Sequence, residues 1–158
     1  MYILLSTVLL FDRFFSSAEG GSVWNHNFWV AGQAGSETNS IPVGGYGDDV
    51  QTIFDRLEES GVSWKFYIQN YDPRITYRIL ESQDKWSPQI IWVPLLNFPR
   101  FVDNPELFKK IVHMDEYYED LENGTLPAVS YMVPSGASEH PPGSIRAGER
   151  FVKGLIQA

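Results

Sequence analysis

Residues 126–142 read LPAVSYMVPSGASEHPP, and no other stretch restricts the fold as much. Residues 128–133 (AVSYMV) are apolar and partly β-branched, with Pro127 and Pro134 closing both ends, the pattern of a short buried strand. A polar loop follows, with Gly136, Ser138, Glu139 and His140 ahead of two prolines. Ser144 then reads as the N-cap of a closing helix. Its apolar positions Ile145, Phe151, Val152, Leu155 and Ile156 share one face at helical spacing, with small Gly148 on the same side. Strand, polar loop, helix is the unit whose carboxyl-end loop carries chemistry in open α/β sheets.

The preceding chain supplies partners for that unit. A helix over residues 49–60, capped by Asp48 or Asp49 and ended by Gly61, carries Val50, Ile53, Phe54 and Leu57 inward. Residues 62–69 (VSWKFYIQ) alternate with period two, so a strand follows at once, with Trp64 on its apolar face. Residues 90–96 (IIWVPLL) read as a further strand, with Pro94 marking it as an edge strand or an interrupted one. Asn104-Pro105 opens a helix with Leu107, Phe108, Ile111 and Val112 inward and His113 at its end. Residues 115–122 are acidic and read as a solvated helix or turn. The fold class is α/β with a mostly parallel sheet, predicted strands at 62–69 and 128–133, and helices at 49–60 and 144–157.

At 158 residues the chain is read as one domain, and 13 Gly with 10 Pro predict many loops. The absence of cysteine excludes disulfides, thiol catalysis and cysteine-bound metal. A formal charge of −8 argues against nucleic-acid binding through a basic face. An anionic substrate would need His, Arg, backbone N–H groups or a bound cation. Residues 1–11 are apolar but too short to span a bilayer, and Asp12-Arg13 stands where a signal-peptide cleavage site belongs. They read as a buried helix or strand. No compartment is assigned.

Two stretches concentrate reactive side chains. Gly20-Gly21 provides φ freedom and close backbone approach, suiting a tight turn that presents Ser22, ahead of Trp24, Asn25 and His26. Pro141 biases His140 toward extended backbone, a rigid placement that suits contact with a phosphate oxygen or protonation of a leaving group. The alternative is a structural imidazole bonded to a carbonyl. His26, His113 and His140 have no metal-ligand spacing. Ser22 lies in neither G-x-S-x-G nor S-x-x-K, and residues 44–49 (GGYGDD) lack the Lys of a P-loop.

Four stretches, in order, carry a resemblance. They are FDRFFSS (11–17), GSVWN (21–25), TIFDRL with GVSWK (52–57 and 61–65), and LPAVS with SEHP (126–130 and 138–141), the last followed by Ala147-Gly148-Glu149. The chain resembles an internal segment of the phosphoesterase family of bacterial phospholipases C and acid phosphatases. The resemblance implies an alkaline-phosphatase-like α/β/α fold, incomplete in this chain. Ser22 would be the nucleophile of a phosphoseryl mechanism, His140 a catalytic contact to the phosphate or leaving oxygen, and Asn25, His26 and Glu139 substrate-binding residues. A divalent metal ion is expected in the complete enzyme, its ligands unassigned. The implied partner is a phosphate ester, including phospholipid, and relatives are often exported. The turn here is Trp24-Asn25-His26 where the family has Pro-Asn-Arg, which alters a cationic phosphate contact. The family's earlier Glu-Asn and later Asp-Glu-x-Gly-Gly metal motifs are not among these residues, so a segment inactive alone is expected. A non-catalytic binding remnant and an aromatic-rich carbohydrate-binding module are the alternatives.

Overall fold

The computed structural model describes residue 13 and residues 15–81, 87–135 and 140–158. The expectation for residues 1–11, and those for Ser138 and Glu139, lie outside the described residues.

Three strands form one sheet in the order β2-β1-β3, with β1 (Trp64–Ile68) between β2 (Ile111–His113) and β3 (Val129–Val133). Both pairings are parallel, with Trp64 opposite Val129, Ile68 opposite Val133, and Phe66 opposite Ile111. Helices α1 (Ser22–Ala31) and α2 (Ile53–Glu59) precede β1. The short helices α3 (Gln89–Trp92), α4 (Pro99–Val102) and α5 (Pro105–Phe108) connect it to β2. Helix α6 (Asp115–Asn123) joins β2 to β3, and α7 (Ile145–Gln157) closes the chain. The α/β reading therefore holds, with both expected strands present and parallel.

Alternation along β1 sends its residues to two cores, as a sheet covered on both faces requires. Trp64, Phe66 and Ile68 enter the larger one with Val30, Phe54, Leu95 and Phe101. Tyr67 enters the smaller one with Val112, Met114 and Tyr117, covered by Phe151 and Leu155 of α7. Aromatic rings knit the larger core, with centroids 4.7 Å apart for Phe54–Trp64 and for Phe66–Tyr131.

Several sequence expectations change. Helix α2 starts at Ile53, not at residue 49, because Thr52 forms a reciprocal capping box with Asp55. Ile53 is half-exposed rather than inward. Residues 90–96 are helical, α3 followed by a 3-10 turn at Pro94–Asn97, since an apolar run alone does not separate a buried helix from a strand. The helix opened by Asn104 stops at Phe108, and Ile111 and Val112 instead pair with β1 as β2. Asp120 of α6 is buried rather than solvated. It accepts from Lys65 Nζ at 2.6 Å and from Tyr67 at 2.7 Å. On α7 only part of the expected face packs inward, and Ile145, Val152 and Ile156 are exposed.

Candidate functional site

Ser22 is the first residue of α1, not the tip of a free turn. Gly20 and Gly21 lead into it, and their role is space rather than positive φ: Gly21 has φ −79°. A Cβ on Gly20 would lie 2.3 Å from the Trp24 ring, and one on Gly21 2.2 Å from Asn39 Nδ2. Asn25 turns back over this entry. Its Oδ1 accepts from Ala18 N–H at 3.1 Å, and its Nδ2 donates to the carbonyls of Ala18, Gly20 and Gly21. Asn39 Oδ1 accepts the Trp24 N–H at 3.1 Å. Gly21 offers no side chain to cap α1, so with the Trp24 N–H taken by Asn39 it is the Ser22 and Val23 N–H groups, and the positive end of the dipole, that face an incoming anion.

Helical spacing places Ser22, His26 and Trp29 on one face of α1, at i, i+4 and i+7. All three line a pocket of about 200 Å³. Its opposite wall is Val133 and Pro134 at the end of β3, together with His140, and Trp92 of α3 closes it. The carboxyl ends of the strands are clamped beside it. Ser135 N–H donates to Gln69 Oε1 at 2.8 Å, and Asn70 Nδ2 donates to Ser135 O at 3.0 Å. Asn70 holds the left-handed conformation, φ 55°, which Asn tolerates better than most side chains.

Each imidazole of the pocket sets its Nδ1 against a backbone carbonyl. His26 Nδ1 lies 2.7 Å from the Ile91 carbonyl and His140 Nδ1 lies 2.8 Å from the Pro141 carbonyl. Burial pushes the His26 pKa down, the Ile91 hydrogen bond opposes it, and the nearby charge of His140 lowers it further. His26 is therefore held toward its neutral form.

The structure thus brings Ser22, His26 and His140 to one pocket across more than a hundred sequence positions. Asn25 does not line it and instead fixes the backbone entering Ser22. Glu139 lies outside the described residues. Trp29 and Trp92 were not foreseen as pocket walls. The i+7 relation to Ser22 is a usable signal for Trp29, whereas Trp92 sits in an apolar run whose pattern does not separate helix from strand. Among the described residues no three His, Asp or Glu side chains group closely enough to hold a metal ion. A larger groove of about 820 Å³ between α1, α2 and β3 is chiefly apolar and shares only Trp29 with this pocket.

Phospholipase C B of Mycobacterium tuberculosis, strain CDC 1551 / Oshkosh, is 26% identical over 163 residues, covering 93% of this chain. Phospholipase C B of strain ATCC 25618 / H37Rv matches to the same extent. The chain spans 29% of the length of these relatives. The sequence pattern of the Phosphoesterase family matches residues 1–158, and the chain belongs to that family.

Proposed function

We propose that this protein acts on phosphate esters through a phosphoseryl intermediate, on a scaffold of the alkaline-phosphatase-like type. The supporting observation is the meeting of Ser22, at the positive end of α1, with His26 and His140 in one pocket at the carboxyl end of the sheet. Phosphoryl transfer asks a protein mainly for positioning and for stabilisation of negative charge. The first turn of α1 would receive the non-bridging phosphoryl oxygens, with Ser22 Oγ beside phosphorus. His140 would give a proton to the departing ester oxygen, and His26 would face the same phosphoryl group. Asn25 acts here by holding the backbone from which Ser22 projects. Trp29 and Trp92 offer apolar walls to an aryl or lipid portion of the ester. The divalent ion expected from the resemblance would stabilise the phosphoryl charge and favour ionisation of a hydroxyl. The described residues do not by themselves form its site.

The test is trapping of the intermediate. A chain that also carries the family's two metal motifs is mixed with an aryl phosphate or a phosphocholine ester, with and without added divalent ions, quenched in acid and mapped by mass. One phosphoryl group on the Ser22 peptide, absent from Ser22→Ala, is expected. A protein that binds these esters in the same pocket but never carries phosphate on Ser22 would instead be a binding remnant of the family.

A further inference from the structure

The geometry points to His26 as the proton acceptor for the Ser22 hydroxyl. This goes beyond contact with substrate and rests on the phosphoesterase reading above. Ser22 and His26 are one turn apart on α1 and line the same pocket. A carbonyl oxygen only accepts hydrogen bonds, so the 2.7 Å contact to Ile91 O puts the ring proton on His26 Nδ1. In the neutral ring Nε2, on the opposite edge, is then the basic nitrogen. Trp29 packs edge-on against the imidazole at 6.2 Å and limits its rotation. Ser22 Oγ makes no hydrogen bond among the described residues, His26 included, so its proton is free to be taken when the hydroxyl turns toward the imidazole.

The surroundings favour the neutral, accepting form. The groups around His26 are the Ser22 hydroxyl and Trp29 ring from α1, Trp92 and the Ile91 carbonyl from α3, and the His140 imidazole beyond β3. Among these described groups only His140 can carry a charge, and that charge opposes protonation of His26. Burial acts in the same direction and is the larger effect.

The proton balance closes within the pocket. As the Oγ–P bond forms and the bond from phosphorus to the ester oxygen breaks, the Ser22 proton passes to His26 Nε2. His140 delivers a proton to the departing oxygen. Water then attacks phosphorus and gives a proton to His140. The Oγ–P bond breaks and His26 returns its proton to Ser22, so both histidines recover their starting states.

The test uses phosphonylation of Ser22 by an alkyl fluorophosphonate, which forms the Oγ–P bond and releases fluoride, read by peptide mass. The labelling rate should rise with pH through a midpoint below the ordinary imidazole value of about 6.5 and then level. His26→Asn keeps an amide donor for the Ile91 carbonyl but has no basic nitrogen. It should label about a hundredfold more slowly and without that pH step. His26→Gln should be equally slow. Wild-type rate and profile in a folded His26→Asn protein would overturn the inference and leave Ser22 as nucleophile. Failure of wild-type Ser22 to label at all would overturn the nucleophile reading itself. Nitrogen-15 NMR of the wild-type imidazoles is an independent check. The Nδ1–H form of His26 at neutral pH is expected, and an Nε2–H form would exclude it as acceptor.

Discussion

At the scale of single residues, Asp55 shows how much one side chain can organise. Arg100 grips it with two parallel bonds, Nε to Oδ1 at 2.8 Å and Nη2 to Oδ2 at 2.6 Å. Thr52 N–H donates to the same carboxylate at 2.7 Å, while Arg100 also reaches Val50 O and stacks on the Phe98 ring. Burial alone would raise the Asp55 pKa, but the bonds from Arg100 and Thr52 outweigh it and leave the pKa below the ordinary value. Because the folded-state value is lowered, the stabilisation is fully present above the unfolded carboxylate pKa and is lost as pH falls through the folded one. Asp55→Ala should cost about 3 kcal/mol in denaturant unfolding at neutral pH, since it strands a largely buried guanidinium. The difference from wild type should shrink as the solution is acidified. Ser22→Ala tests the opposite property. Its side chain is exposed and makes no hydrogen bond among the described residues, so the unfolding midpoint should move by less than about 0.5 kcal/mol equivalent. A large loss of stability would mean that Ser22 is structural.

At the scale of elements, α7 offers a contrast within one helix. Phe151 and Leu155 cover the smaller core, whereas Ile145 is 81% exposed. Phe151→Ala should lower stability by about 2 kcal/mol. Ile145→Ala should change it by less than about 0.5 kcal/mol, both measured by urea unfolding. The sequence predicts one continuous buried face here, because periodicity identifies which residues share a side but not how much of that side meets a neighbour. Elsewhere legibility follows the strength of the local rule. β1 and β3 are bounded by alternation or by proline, and both fall within the predicted limits. Ser144 caps α7 as expected, accepting from Ala147 N–H at 3.3 Å. β2, only Ile111–His113, is specified by its partner strand rather than by its own pattern. α3 depends on contacts made at long range, among them Gln89 Nε2 to the carbonyls of Asp72 and Ile75. The pocket was legible in part. Ser22, His26 and His140 stood out as reactive side chains, but the backward turn of Asn25 is set by the fold of residues 18–21 and leaves no trace in composition.

At the scale of the whole molecule, the charge of −8 opposes the approach of an anionic ester even though no carboxylate stands among the described residues that line the pocket. Raising ionic strength from about 0.01 M to 0.15 M shortens the screening length from roughly 30 Å to 8 Å. Binding of an anionic aryl phosphate should therefore tighten severalfold over that range, while a neutral phosphonate should show no such trend. Equilibrium titration with each compound checks this, and weaker binding of the anion with added salt would contradict it. The placement of Ser22, His26 and Trp29 along α1 has a consequence for insertions and deletions. Each helical residue turns the face by about 100°. One residue gained or lost between Ser22 and His26 would rotate the hydroxyl out of register with the imidazole while leaving both of those side chains in place. The same change in the loop after Gly32 would leave that register whole. The stretch from Ser22 to Trp29 is thus intolerant of length change, and its reading frame along the helix is as much a part of the site as its chemistry.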